Sequence, residues 1–394
     1  MTEQQIKWKV VGRLTRERIE EHRKRLGMKL RPSGTYRGAN QWALWDRISA
    51  YADKMGDPNP LWRDQEYAKS TRYGRLPAPP SFILCSIGGM IIQGLPGVQV
   101  MVGGAAMEFY KPALDGDRIT YETTFSELEE TGSAFSELWL IEYYDSLYYN
   151  QKGELLAKLR SHMLRWERSE IEEGLKKTDK ARNTIMPHPW TEEELRQIED
   201  EVMSECERIR GSTPRYWEDV SEGETLPDLV RGPRRYTDSV AEGTAGSIVR
   251  SGALGLKEMR RHPGYALWHP ESGAYEKIEL IHWNKFLAKQ MHYAHAYDYG
   301  INRQATAMNA ITDWMGDDGW LKKHAAQVRR VVYISDVIRV KSQITKKYID
   351  ENGEHCIDIE QSVVNQRGDN VLPVQATVIL PSREKGTWPV ATRV

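Results

Sequence analysis

Cysteine is scarce in this 394-residue chain, where Cys85, Cys206 and Cys356 are the only three. They stand far apart, with no CxxC pair and no Cys/His ligand spacing, so neither a disulfide framework nor a structural metal site is expected. An excess of either charge is also missing, since 55 Lys and Arg face 56 Asp and Glu for a net charge of −1. A polyanion binder draws its affinity from excess basic charge, so nucleic acid is not an expected partner. No long apolar run survives either. The stretch from Phe82 to Val102 is broken by Gly88, Gly89, Gly94, Pro96 and Gly97, too often for a membrane span. The first residues, Met1 to Lys7, are polar and lack an apolar signal-peptide core, so the expected location is cytoplasmic. There is no GxGxxG after a strand, no Walker loop, no GxSxG elbow and no HExxH. What remains, at 40% hydrophobic and 28% charged residues, has ordinary globular composition and a length for two or three domains.

The chain repeats itself once. Asn150-Gln151-Lys152-Gly153-Glu154 returns as Asn365-Gln366-Arg367-Gly368-Asp369, 365 − 150 = 215 residues later. Each copy lies between two strand-like runs, as a hairpin turn with glycine at positive φ does. Gly116-Asp117-Arg118-Ile119 corresponds to Ser335-Asp336-Val337-Ile338 at 336 − 117 = 219. Asp64 to Ala68 corresponds to Asn284 to Ala288 at 288 − 68 = 220. Three landmarks at nearly one offset describe a duplicated unit.

Each unit reads as a helical entry, a loop, a central helix and three or four long strands. In the first, Asn40 is a candidate N-cap for a helix carrying Trp45, Ile48, Tyr51, Ala52 and Met55 at helical spacing, ended by Gly56. Strands are expected over 118–128, 134–144 and 154–166, then over 337–349, 354–364 and 371–380. Long antiparallel strands around a buried helix make each unit α+β. The expected boundaries are 1–166 for the first domain, 167–214 for a charged linker and 215–394 for the second domain. Within the linker, Thr191 to Glu194 form a capping box that starts a solvated helix running to about Arg210.

Gly56-Asp57-Pro58-Asn59-Pro60-Leu61-Trp62-Arg63-Asp64, with Ala68 and Ala78-Pro79-Pro80-Ser81-Phe82, resembles the signature loop of the MaoC-like acyl-CoA dehydratases. Lys111 to Asp117 and the Asn-Gln-x-Gly hairpin resemble the same family. The second half resembles its long two-domain members through Ala296 to Gly300 and Thr312 to Gly319. The resemblance implies a double hot-dog, two antiparallel sheets each wrapped around a central helix and joined edge to edge. It also implies an acyl-CoA thioester substrate, no cofactor beyond the coenzyme A of that substrate, no membrane association and a homodimer. Family members add water to a 2-enoyl-CoA or remove it from a 3-hydroxyacyl-CoA. A carboxylate and an imidazole five residues apart can hold one water between them, while N–H groups at a helix start stabilise the thioester enolate.

The catalytic pair is split between the halves. Asp57 and Asn59 stand at the family's positions, but Trp62 occupies the place of the histidine, and indole only donates. The offset of 220 carries Trp62 to His282, Asn59 to Glu279 and Asp57 to Lys277. Three readings stay open. In one, His282 is the base, Glu279 the carboxyl, and the thioester oxygen lies near Tyr297 to Gly300. In another, Asp57 acts alone and Trp62 shapes the acyl pocket. In the third both loops are structural, and the chain binds an acyl-CoA or needs a partner. Asp298 and Arg303 either bind substrate or pair with each other. Arg231, Arg234, Arg235, Arg329 and Arg330 suit coenzyme A phosphates or a solvated surface. By reaction class the leading expectation is a hydratase/dehydratase, ahead of a non-catalytic acyl-CoA-binding subunit and of a thioesterase, because fold alone does not fix chemistry.

Overall fold

The computed structural model describes residues 7–30, 41–85, 94–132, 138–168, 186–245 and 250–386. Its frame is one antiparallel sheet of nine strands. They are β1 (Gln99–Phe109), β2 (Thr120–Thr131), β3 (Trp139–Tyr149), β4 (Leu155–Trp166), β5 (Leu229–Arg231), β6 (Trp320–Gln327), β7 (Ile338–Ile349), β8 (His355–Asn365) and β9 (Asn370–Ile379). The order across the sheet is β2-β3-β4-β1-β6-β9-β8-β7-β5. The four strands of the first half thus meet the five of the second edge to edge at β1 and β6. At that junction Ala105 faces Ala326 and Ala106 faces Ala325. Small residues are required there: a Cβ on Gly104, at φ 150°, would stand 2.2 Å from the Ala326 carbonyl, and one on Gly103 would stand 2.3 Å from the His162 ring.

β1 and β6 are absent from the sequence reading, because Gly103-Gly104-Ala105-Ala106 lacks the β-branched residues that mark strands. A second correction concerns β3, expected over 134–144 but running from Trp139 to Tyr149. Residues 133–137 lie outside the described residues. Asp145 and Ser146 read locally as a strand end, yet Asp145 meets Arg160 and Ser146 hydrogen-bonds the Thr123 hydroxyl at 2.8 Å across the sheet.

The helices are α1 (Arg16–Arg23), α2 (Trp45–Met55), α3 (Gln65–Ser70), α4 (Glu192–Met203), α5 (Glu205–Arg208), α6 (Tyr236–Ala245), α7 (Gly252–Arg261), α8 (Lys285–Gln290) and α9 (Gly300–Met315). Ile48, Tyr51, Ala52 and Met55 form the buried stripe of α2, and Gly56 ends it in the left-handed conformation at φ 66°. Leu44, not Asn40, is its N-cap; Asn40 lies outside the described residues. Leu44 offers no side-chain acceptor, and the Asp115 carboxylate instead accepts from the Trp45 N–H at 2.8 Å. The capping box of Thr191 and Glu194 is formed, but Ser204 interrupts the linker helix. Nor is that helix merely solvated. Ile198 packs with Val230 and Val337, and Glu205 is 5% exposed.

α9 is the central helix of the second half, buried along nearly its whole length against the sheet. Its Gln304 amide donates to the Ala105 carbonyl at 3.0 Å, and Ala305, Met308, Ile311 and Trp314 join a core with Ile48, Phe82 and Met107 of the first half. Its counterpart begins with the 3-10 turn Pro80–Cys85, and the remainder of that expected helix falls on 86–93, outside the described residues. The repeat extends to single hydrogen bonds. Asp117 accepts from Leu114 N and Gln151 Nε2, as Asp336 accepts from Tyr333 N and Gln366 Nε2. Asn150 and Asn365 each cap their hairpin with two accepted N–H bonds.

Candidate functional site: two equivalent turns

In the first half, α2 delivers the chain at Gly56 into a tight turn. The Asp57 carboxylate accepts from Asn59 N at 3.0 Å and from the Trp62 indole at 2.9 Å. Asn59 in turn accepts from Leu61 N, starting the 3-10 turn Pro60–Trp62. Asp57, Asn59 and Trp62 are all buried. Burial raises the Asp57 carboxyl to about 7, against the lowering effect of its hydrogen bonds. Trp62 also lines a small apolar cavity of about 30 Å³ with Leu61, Ile83, Phe109, Met315 and Trp320. The two positions that the family resemblance pairs around a water are therefore bonded directly to each other, with an indole in place of the imidazole.

In the second half, the 3-10 turn Ile278–His282 precedes α8 as Pro60–Trp62 precedes α3. His282 and Trp62 each stand two residues before the N-cap, Asn284 or Asp64. The His282 Nδ1 lies 2.9 Å from the Tyr297 carbonyl oxygen, which only accepts, so Nδ1 bears the hydrogen and Nε2 the lone pair. The ring lies 3.7 Å from that of Tyr299, centroid to centroid. Burial lowers the imidazole to about 4, so it is neutral near pH 7. Glu279 is held above the usual carboxylate range by burial, opposed by Lys277 at 3.5 Å. Its Oε2 and the Tyr299 hydroxyl are buried without a hydrogen-bond partner. Tyr299 is also the N-cap of α9 and gives that helix start no side-chain acceptor.

Asp57 and His282 do not meet. Asp298 and Arg303 bind each other by two hydrogen bonds of 2.9 and 2.7 Å, and Arg303 Nη1 is taken by the Arg330 and Val371 carbonyls. The ion-pair reading describes their geometry. Gly300 begins α9 under Val328, whose Cγ2 would be 2.9 Å from any Cβ there. The arginines are likewise engaged: Arg231 with Glu205, Arg234 with Glu242, Arg235 with Asp238 and Arg330 with Asp369. Arg329 lies beside Gln327. Among the described residues, Asp350, Glu354 and Cys356 have the spacing for a metal ion. The Lys322 ammonium bonds Asp350 and Glu354 at 2.6 and 2.7 Å.

Sequence reasoning missed Glu258 of α7, which is 1% exposed and reaches Lys277 at 3.1 Å. It also missed Glu205, Asn309 and Asp313, which gather around Asp57. No local pattern marks them, because each sits on a separate segment or a separate turn of a helix.

No helix among the described residues is long and apolar enough to cross a membrane. Residues 45–159 match the family described as FAS1-like, dehydratase domain region. A UPF0336 protein of Streptomyces avermitilis is 31% identical over 91 residues, which are 21% of this chain and 61% of that relative's length. A solved MaoC-like dehydratase superposes with a TM-score of 0.61 at 14% identity, covering 90% of this chain and 98% of that one. A Mycobacterium tuberculosis protein described as having a double hotdog fold covers 90% and 96%, with a TM-score of 0.51 and 10% identity. The chain has a double hot-dog fold like that of these solved proteins, and its residues 45–159 are similar to the FAS1-like dehydratase domain region.

Proposed function

We propose that the chain is a hydratase/dehydratase interconverting a 2-enoyl-CoA and a 3-hydroxyacyl-CoA, with the chemistry in its second half. The observation that carries this is the pairing at one turn of a neutral imidazole with a carboxyl that burial favours in its acid form. Two titratable groups pushed in opposite directions by their surroundings make a base and an acid available at one pH. In hydration, His282 Nε2 takes a proton from water as its oxygen bonds C3. The C2–C3 π electrons move towards the thioester carbonyl, and C2 receives a proton from Glu279. Transfer of the proton from His282 to the Glu279 carboxylate resets the pair, so one water is added across the double bond. The uncapped start of α9 at Gly300 offers N–H groups for the developing enolate oxygen.

The test is to follow enoyl absorbance with 2-enoyl-CoAs of short, long, branched and aromatic acyl groups. His282→Ala should lower turnover by about 10²–10⁴, and Asp57→Asn should spare it. The reverse pattern moves the chemistry to the first half. Release of free thiol identifies a thioesterase, and binding without turnover identifies a partner-dependent acyl-CoA-binding subunit.

A further inference from the structure

A second group of buried acids bridges the two halves away from His282. Asp57 comes from the loop after α2, Glu205 from the linker helix α5, and Asp313 from α9. Arg231 of β5 supplies the cation among them. Its guanidinium grips Glu205 through two bonds of 2.6 and 2.7 Å and donates to the Gly56 carbonyl at 3.0 Å. One guanidinium neutralises one carboxylate, and Glu205 is the one it holds.

Asp57 is served by neutral donors, the Asn59 N–H and the Trp62 indole. A third is Asn309, whose amide nitrogen, in the orientation that satisfies its neighbours, lies 3.3 Å from Asp57 Oδ2. Asp313 is four residues on from Asn309 and so lies on the same face of α9, one turn along. It is 7% exposed, and neither of its carboxyl oxygens has a donor. Its charged surroundings include Asp57, Glu205 and Arg231. An ionised carboxylate buried beside two others without a donor is strongly disfavoured. The acid form is a donor, and both nearby carboxylates accept.

We propose that the seam between the halves is a proton-binding site, in which Asp313 carries a proton that it shares with Glu205 and Asp57. That proton ties three segments together: the first-half loop, the linker helix and the central helix of the second half. The main chain follows the same path, since Arg210 N donates to the Asp313 carbonyl and Asp317 N to the Gly211 carbonyl. Loss of the proton leaves three carboxylates around one guanidinium and loosens the linker from α9. Burial raises both Asp57 and Asp313 above the usual carboxylate range, in keeping with this arrangement. The sign follows. A carboxyl raised on folding binds its proton more tightly in the native state, so its stabilising contribution is complete at low pH and falls as pH rises through the native value. Asp57 places one part of that fall between the ordinary carboxylate range and about 7.

This inference is independent of the hydratase reading, and its test needs no turnover. Infrared spectra of the full chain across the neutral range should contain the carbonyl band of a buried protonated carboxyl. The Glu279→Gln background removes the other acid assigned a protonated role. Asp313→Asn should abolish the remaining seam band. In thermal unfolding, the wild-type midpoint should fall by several degrees between mildly acidic and mildly alkaline pH, and Asp313→Asn should flatten that fall. Should Asp313→Asn fail to fold, Glu205→Gln decides, because changing the acceptor of a shared proton must shift the band. A Glu279→Gln spectrum without such a band overturns the proposal. So does an unfolding slope unchanged in Asp313→Asn, or a band indifferent to Glu205→Gln.

Discussion

Trp62 and His282 occupy the same place in the two halves, each closing a 3-10 turn two residues before the cap of a short helix, yet they do opposite things. Trp62 spends its one donor on Asp57 and closes the turn upon itself. His282 spends its donor on a backbone carbonyl and keeps a lone pair. The segments leading into them differ as well. Four residues, 56–59, separate α2 from its turn. Thirty-two, 246–277, separate α6, which packs on α2, from the other. That insertion holds α7 and two strands, 266–269 and 274–277, which form a small antiparallel sheet with residues 7–8. It brings Glu258 to Lys277 beside Glu279. Duplication supplied two similar turns, and a local insertion rebuilt the surroundings of one of them.

The sharpest way to separate the two turns is a pH profile of turnover. If His282 is the base, kcat/KM should fall about tenfold per pH unit below about 4, where the imidazole becomes protonated. On the alkaline side activity should decline as Glu279 loses its proton, and Glu279→Gln should remove that limb. Were Asp57 the acid or base instead, the inflection would lie near 7.

The second contrast concerns how each central helix is anchored. Asp298 and Arg303 correspond by offset to Ala78 and Ile83, since 298 − 78 and 303 − 83 are both 220. The second half begins its helix on a buried ion pair, whereas the first begins on apolar packing. Arg303→Met should cost about 3–5 kcal/mol in denaturant unfolding, because Asp298 is left charged and unpaired. Adding Asp298→Leu should recover part of that loss. A small cost for Arg303→Met alone would indicate that Asp298 is neutral. The loops themselves can be compared by removing one donor from each. Trp62→Phe leaves Asp57 short of a bond and should cost about 1–3 kcal/mol. His282→Phe deprives only a carbonyl and should cost about 1 kcal/mol.

The sequence displays the repeat because its landmarks are local. Asp117 and Asp336, Gln151 and Gln366, Asn150 and Asn365 bond within a few residues or across one hairpin, so their spacing survives duplication. The position of His282 opposite Trp62 is legible for the same reason. The junction strands are not, since glycine and alanine are chosen there for close approach across the seam, and strand propensity says nothing about that. Lys277 is a further limit of the offset. It falls at the number of Asp57 but at the end of the insertion, where its role is to join Glu258 to Glu279. The seam cluster is illegible as a cluster, although Asp57 and Arg231 stand out singly, because Asp57, Glu205, Arg231 and Asp313 come from four segments that only the folded chain brings together.

The smallest effect tests whether the halves remain equivalent where nothing functional intervenes. Asn150 accepts from Lys152 N and Glu154 N at 3.0 Å each, and Asn365 from Arg367 N and Asp369 N at 3.0 Å each. Both side chains stand in for a backbone turn before a glycine at φ 76° or 81°. Asn150→Ala and Asn365→Ala should therefore each lose on the order of 1 kcal/mol in chemical denaturation. Arg367 differs from Lys152 in bonding Asp336 through both terminal nitrogens at 2.6 Å. That second anchor ties the Asn365 turn to the strand opener, so Asn365→Ala should be the milder of the two. A larger loss at Asn365 would mean that the guanidinium depends on the turn, and that the second half has become more cooperative than the first.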